Sequence, residues 1–205
     1  MLEKNSVLSA VAKNSGRDGA DGRRLLRVGE TQGWRLVQVA AFPGTLGPLE
    51  RAIRPVLGAD LPVRVGAATA TDARRVLKIG PEQFWIITRD SEDIAPYLQA
   101  QLTPAVGSVT TLSHSRTCIW IDGLRSRDVL EAGISIDLHP DVFPPNSFGL
   151  TDLHHTPITI YRSGDSRYDF YVLRTFAMWT WEWLIDAALP FGYEIVESSK
   201  TPWGA

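Results

Sequence analysis

Long apolar runs are missing from this sequence. No window reaches the roughly 18 to 20 consecutive apolar residues that a membrane-spanning helix requires, because Arg, Asp or Pro interrupts each apolar stretch. Cysteine is nearly missing as well: the single Cys118 among 205 residues cannot form an internal disulfide. Val7 to Ala12 is too weakly apolar for the core of a secretory signal, so a reducing compartment, the cytoplasm, is expected. An excess of one charge is missing too. With 21 Lys+Arg against 23 Asp+Glu the net charge is −2, which excludes a generic nucleic-acid binder, since phosphate recognition needs a basic field. What is present is a globular composition, 44% hydrophobic and 21% charged, enough to bury a core and to exclude wholesale disorder.

Residues 1–30 mix Lys4, Lys13, Arg17, Arg23, Arg24 and Arg27 with Glu3, Asp18, Asp21 and Glu30 and show no sustained apolar period. They are expected to form a flexible N-terminal arm, either a disordered tail or a segment that orders around a neighbour. Residues 31–205 read as one domain of two packed α+β halves, about 31–106 and 107–198, with a short C-terminal tail. In the first half Trp34 to Ala40 reads as a strand, stopped by Phe42-Pro43-Gly44. Leu46, Leu49, Ile53 and Val56 follow helical spacing; Pro55 disfavours helix at Arg54, and Gly58 offers a stop. Arg75 to Ile79 and Phe84 to Ile87 read as antiparallel strands around Gly80-Pro81. A helix follows, capped by Asp90 or Ser91 and begun late at Pro96, with Ile94, Tyr97, Leu98 and Leu102 on one face; Gly107 then breaks the chain.

The second half has strands at Val109 to Ser113 and Thr117 to Asp122. The latter is apolar on both faces, Cys118 and Trp120 against Ile119 and Ile121, as a central strand should be. A short helix spans Ser126 to Ala132, and Pro157 to Tyr161 with Tyr168 to Thr175 flank a hairpin loop at Ser163 to Ser166. A last helix starts near Trp179, and Tyr193 to Val196 reads as an edge strand. A faint internal symmetry pairs Val39-Ala40-Ala41-Phe42 before Leu46 with Leu173-Arg174-Thr175-Phe176 before Trp179. The fold class is α+β, antiparallel sheets built from hairpins and covered by helices, with no Rossmann pattern.

Chemical motifs are scarce. Gly-x-Gly-x-x-Gly, the phosphate-binding loop and Gly-x-Ser-x-Gly are all missing. His154, His155 and Asp152 make a mixed metal site conceivable, against the plainer reading of a polar turn before a strand. Cys118 near His114 invites a thiol nucleophile, against the plainer reading of a buried hydrophobe beside Trp120. Asp137, Asp141 and Asp152 lie among loop signals, where Asp forms turns and caps. No catalytic, cofactor-binding or metal residue is assigned.

The seven tryptophans carry more information, three of them at positions 179, 181 and 183. The last helix is apolar on more than one side, so a second covering surface is implied, and a partner protein supplies it economically. Trp181, with Leu184 and Ile185, is the expected partner interface; Trp179 and Trp183 serve equally well as core or interface.

Four segments together carry a resemblance. They are Thr110 to Thr117, Ile121-Asp122-Gly123, Arg127-Asp128-Val129-Leu130-Glu131-Ala132-Gly133, and Ile136-Asp137-Leu138-His139-Pro140. In this order they resemble the gamma subunit of heterotetrameric sarcosine oxidase, and Phe143-Pro144, the hairpin and Tyr171 to Ala177 continue the likeness over roughly Trp34 to Val196. That family is similar in fold to the folate-binding domain of the glycine-cleavage T-protein, an aminomethyltransferase. The resemblance implies a structural, non-catalytic subunit of a complex that oxidatively demethylates sarcosine, with alpha, beta and delta subunits as partners. It implies FAD, FMN, NAD, zinc and tetrahydrofolate on those other subunits and none on this chain. Two alternatives stay open: the equivalent subunit of an N-methylglutamate dehydrogenase, or an independent folate-binding protein in which Arg74 and Arg75 attract the carboxylates of a folate tail.

Overall fold

The structure is a computed structural model that describes residues 6–58, 60–89 and 91–199, with residues 198 and 199 described by backbone alone. The chain divides into two units, Gly33–Ser113 and a discontinuous unit of Met1–Gln32 with His114–Ala205. It therefore passes from one unit to the other twice, and the expected boundary at 106/107 moves to 113/114.

In the unit 33–113, β3 (Trp34–Ala41), α1 (Leu46–Leu57), β4 (Ala68–Ala70), β5 (Arg74–Gly80), β6 (Gln83–Arg89), α2 (Ala95–Gln101) and β7 (Gly107–Thr111) build an antiparallel sheet of order β4-β5-β6-β3-β7. Its core joins Val37, Val39, Val76, Phe84 and Ile86 of the strands to Leu49, Ile53 and Leu57 of α1 and Leu98 of α2. Helix α1 buries i, i+4 and i+8 and does not stop at Arg54: it runs through Pro55 to Gly58, which takes φ 61° and returns its N–H to the Arg54 carbonyl at 3.0 Å. Pro55 is tolerated because the carbonyl it leaves unbonded, that of Arg51, lies at an exposed position where water can serve it. On α2 the buried stripe is Ile94, Leu98 and Leu102, whereas Tyr97, one step off that stripe, is 67% exposed. The expected Asp90 cap lies outside the described residues. Gly107 opens β7 rather than breaking the chain, because a Cβ there would collide with the Ala40 carbonyl oxygen across the ladder.

The second unit contains β1 (Ser15–Arg17), β2 (Leu26–Thr31), β8 (Arg116–Asp122), α3 (Ser126–Glu131), β9 (Phe148–Leu153), β10 (Thr156–Arg162), β11 (Tyr168–Leu173), α4 (Ala177–Ala188) and β12 (Tyr193–Ser199). Its sheet has the order β1-β12-β2-β8-β11-β10-β9, antiparallel throughout except for the parallel pair β2 and β12. Strand β8 is central, as its two apolar faces require. Ile119 and Ile121 join Val28, Phe170, Val172, Leu130 and Leu184 in one core, while Cys118 and Trp120 are buried on the opposite face.

From residue 6 on, the N-terminal segment is no arm. Ser15–Arg17 and Leu26–Thr31 are strands, and Leu8 and Ala12 reach the core. Its apolar residues are too few and too irregularly spaced to show a period, yet Leu26 and Val28 alternate correctly for β2. Strand β12 is accordingly interior to the sheet, flanked by β1 and β2, and not an edge.

Both units repeat the order β-α-β-β-β-α-β. The repeat matches β3-α1 with β8-α3 and β6-α2 with β11-α4. The symmetry read from Phe42 and Phe176 thus paired the first strand and helix of one unit with the second of the other.

Helix α4 corrects the expected interface. It buries Ala177, Trp181, Leu184 and Ala188, the i, i+4, i+7, i+11 stripe, with Trp181 at 3% and Leu184 at 0% exposure. Ile185 is partly buried on the same core, and Trp183 packs where a Cβ on Gly133 would strike its ring. The helix begins two residues earlier than expected, and since several of its faces are apolar, periodicity alone did not select which one turns inward.

Two outcomes are expected. Trp181→Ala lowers unfolding stability in urea by about 3–5 kcal/mol, as a large core truncation does, whereas Trp179→Ala costs about 1 kcal/mol or less. Gly29→Val destabilises by about 1–3 kcal/mol in the same measurement, because a Cβ at Gly29 lies 2.5 Å from Cζ2 of Trp120.

Candidate functional site

The histidines that suggested a metal site form a turn. His154 and His155 are the two residues linking β9 to β10, with φ of 43° and 74°. Positive φ at both positions is what a tight two-residue hairpin of the I′ kind demands, and His tolerates it better than most side chains. The His154 ring stacks on Trp179 with centroids 6.1 Å apart and planes 10° apart. Asp152 stands in β9, paired with Pro157. Among the described residues no group of three or more His, Cys, Asp or Glu side chains is placed to hold a metal ion. Cys118 is buried in β8, opposite Thr31 on β2 and Tyr171 on β11, while His114 is exposed, so the thiol is a core group and not an accessible nucleophile.

A cleft of about 640 Å³ opens in the unit 33–113, lined by Val56, Arg74, Glu92, Asp93, Ile94 and Tyr97 among others. It tests the folate alternative. Both Nε and Nη2 of Arg74 donate to Oε1 of Glu92, and Nη1 donates to the Val56 carbonyl. Asp93 in turn accepts from Arg35 at 3.1 Å. An incoming dicarboxylate would meet an arginine already neutralised and two carboxylates of its own sign. Arg75, next along β5, is 5% exposed and does not line the cleft, as alternation along a strand dictates. The residues present do not fit a folate tail.

A second cleft, about 320 Å³, is lined by Arg127, Arg162, Asp165, Ser166 and Tyr168 with their neighbours. Arg162 spends its donors on the carbonyls of Gly164 (3.2 Å), Phe143 (2.7 Å) and Asp165 (2.6 Å), which fixes the loop between β10 and β11. The Ser166 hydroxyl donates to Asp122 at 2.6 Å. Burial pushes the Tyr168 hydroxyl above its ordinary pKa, so it stays neutral beside the Arg162 guanidinium, which lies 5.7 Å from its ring. Arg162 and Ser166 thus commit their donors to the fold.

What remains is a surface. Phe176, Met178 and Trp179, at the start of α4 and in the 3-10 turn before it, are 40%, 36% and 36% exposed. Trp179 was read from the sequence as core or interface; Phe176 and Met178 were missed because they flank the helix start and fit no periodic pattern. The only signal for them was composition, apolar residues crowded ahead of a helix already rich in tryptophan.

The chain matches the "Sarcosine oxidase, gamma subunit family" over residues 46–189. It is 35% identical over 158 residues to the sarcosine oxidase subunit gamma of Arthrobacter sp, covering 76% of each chain. It is 32% identical over 161 residues to that of Corynebacterium sp. (strain P-1), covering 78% of each. Among solved structures it is similar to the heterotetrameric sarcosine oxidase from Corynebacterium sp. U-96 in complex with pyrrole 2-carboxylate, with TM-score 0.78, 27% identity, and coverage of 90% of this chain and 92% of that one. The glycine cleavage system aminomethyltransferase T from Bartonella henselae shares the fold at TM-score 0.58 and 13% identity, over 79% of this chain and 46% of that one. The family match covers most of the chain and the relatives agree with it, so the chain belongs to the sarcosine oxidase gamma subunit family.

Proposed function

We propose that this chain is the gamma subunit of a heterotetrameric sarcosine oxidase and that it acts there by packing against its partners, without catalytic residues of its own. The observation that carries the reading is the likeness to the Corynebacterium enzyme across nine-tenths of the chain. The partners are the alpha, beta and delta subunits. The flavins, dinucleotide, zinc and tetrahydrofolate belong to them, and the oxidative demethylation of sarcosine is theirs to perform. The complex resides in the cytoplasm.

A subunit of this kind works by mass action. Whatever binds the folded form of its partners and not the unfolded form raises their stability, by about 2.7 kcal/mol at a hundredfold excess over the dissociation constant. Exposed aromatic side chains at the start of α4 suit such a surface, since Trp and Phe supply large apolar area for few frozen rotors.

The tagged chain purified gently from its host is expected to bring down larger subunits with a flavin absorption spectrum and sarcosine-dependent oxygen uptake. A colourless, unaccompanied chain refutes the proposal. Within that complex, Phe176→Ser with Trp179→Ser is expected to weaken retention of the partners by about tenfold or more, the effect of losing interface aromatics, while the melting temperature of the chain changes little. Unchanged retention removes these residues from the interface.

A further inference from the structure

The smaller cleft holds polar groups that the fold leaves unanswered. Arg162 of β10 and Tyr168 of β11 are paired directly across their ladder, so both side chains lie on the core face, at the end where Arg127 and Asp128 of α3 line the same cleft. Tyr168 is 2% exposed, and its ring belongs to the apolar core. Its hydroxyl bonds to no described residue. Nor is the oxygen one of the polar atoms sealed from solvent without a partner, so it is the end of the side chain that opens into the cleft. A tyrosine this deeply buried ordinarily finds a partner for its hydroxyl.

Two cations stand beside it. Arg162 is 5% exposed, and the three carbonyls that accept from it satisfy its N–H groups but not its charge; among the described residues no carboxylate forms an ion pair with it. Arg127 meets Glu131 through Nε, at 3.3 Å, and both of its Nη groups bond to no described residue. The charges of Arg162 and Arg127 act on the Tyr168 hydroxyl, as does that of Glu131 with opposite sign. A neutral O–H donor, a guanidinium with unspent N–H groups and a buried charge behind them are the parts of an oxyanion site, and about 320 Å³ is room for a small molecule. Two acids set its limit. Asp128, held by Arg125 at 3.2 Å, and the exposed Asp165 also line the cleft, so a second negative charge on the ligand would meet carboxylates of its own sign.

We propose that the cleft between α3 and the β10–β11 hairpin binds the carboxylate of a small organic acid, with the Tyr168 hydroxyl and the Arg127 Nη groups donating to it and Arg162 supplying the charge behind them. The site lies within this chain and stands apart from the subunit reading.

Acetate is the probe, titrated at constant ionic strength into the full chain with carbon-13 at Cζ of its tyrosines. The Tyr168 resonance is expected to move saturably while the other four stay in place. Arg127→Gln is expected to weaken acetate about tenfold or more, the effect of losing a charge-assisted hydrogen bond. Tyr168→Phe keeps the ring in the core and removes the hydroxyl alone. It is expected to leave the chain at least as stable in urea, since no internal hydrogen bond is lost, while acetate affinity measured by calorimetry falls by a similar factor. A resonance that moves without saturating, or an affinity that neither variant changes, overturns the site. Phosphate that displaces acetate at equal ionic strength overturns the choice of a carboxylate. Acetate that binds the chain alone but not the complex it brings down overturns the small acid and gives the cleft to an acidic side chain of a partner.

Discussion

The larger sheet depends on how Trp120 is accommodated. Its indole lies flat over Gly29 of β2, so closely that no side chain fits there, and the Arg167 guanidinium covers the ring at 4.2 Å. Arg167 is held in turn by Asp169, a fully buried carboxylate 3.3 Å away. A tryptophan, a missing side chain and an ion pair thus tie β2, β8 and β11 together on one face, while Ile119 and Ile121 do the same on the other by apolar packing. Losing Arg167 withdraws a charge partner from a fully buried carboxylate, so the pair is destabilising to break even where it contributes little net stability.

The elements legible in the sequence were those with strong local signals. Helix α1, the hairpin of β5 and β6, the central strand β8 and the hairpin of β10 and β11 announce themselves through period, turn residues and β-branched content. The N-terminal strands did not, because their stability comes from pairing with residues far along the chain. Leu26 pairs with Tyr193, and Ser15 with Ile195. Local composition there is charged and glycine-rich, and tertiary pairing overrides it.

The candidate surface was half legible. Its element, the tryptophan-bearing last helix, could be read from composition; its face could not. With apolar residues on several sides, Trp179 and Trp181 compete for the interior, and the choice is made by the shape of the core around Leu130, Phe170 and Leu184 rather than by the helix itself. Arg74 shows the same limit in charge: its neighbour in sequence is another arginine, but its partner in space is Glu92, eighteen positions away.

The discontinuous unit has a consequence for synthesis. Strand β2 leaves the ribosome early and has no neighbour until β8 follows, after the whole of 33–113, and β12 arrives later still to separate β1 from β2. The inner unit can close its sheet from one continuous stretch, whereas the outer sheet waits for the last strand, a high-contact-order step that is slow and leaves strand edges open meanwhile. Helix α4 sits just before that strand. The helix and the exposed aromatic residues at its start thus stand next to the strand that completes the outer sheet.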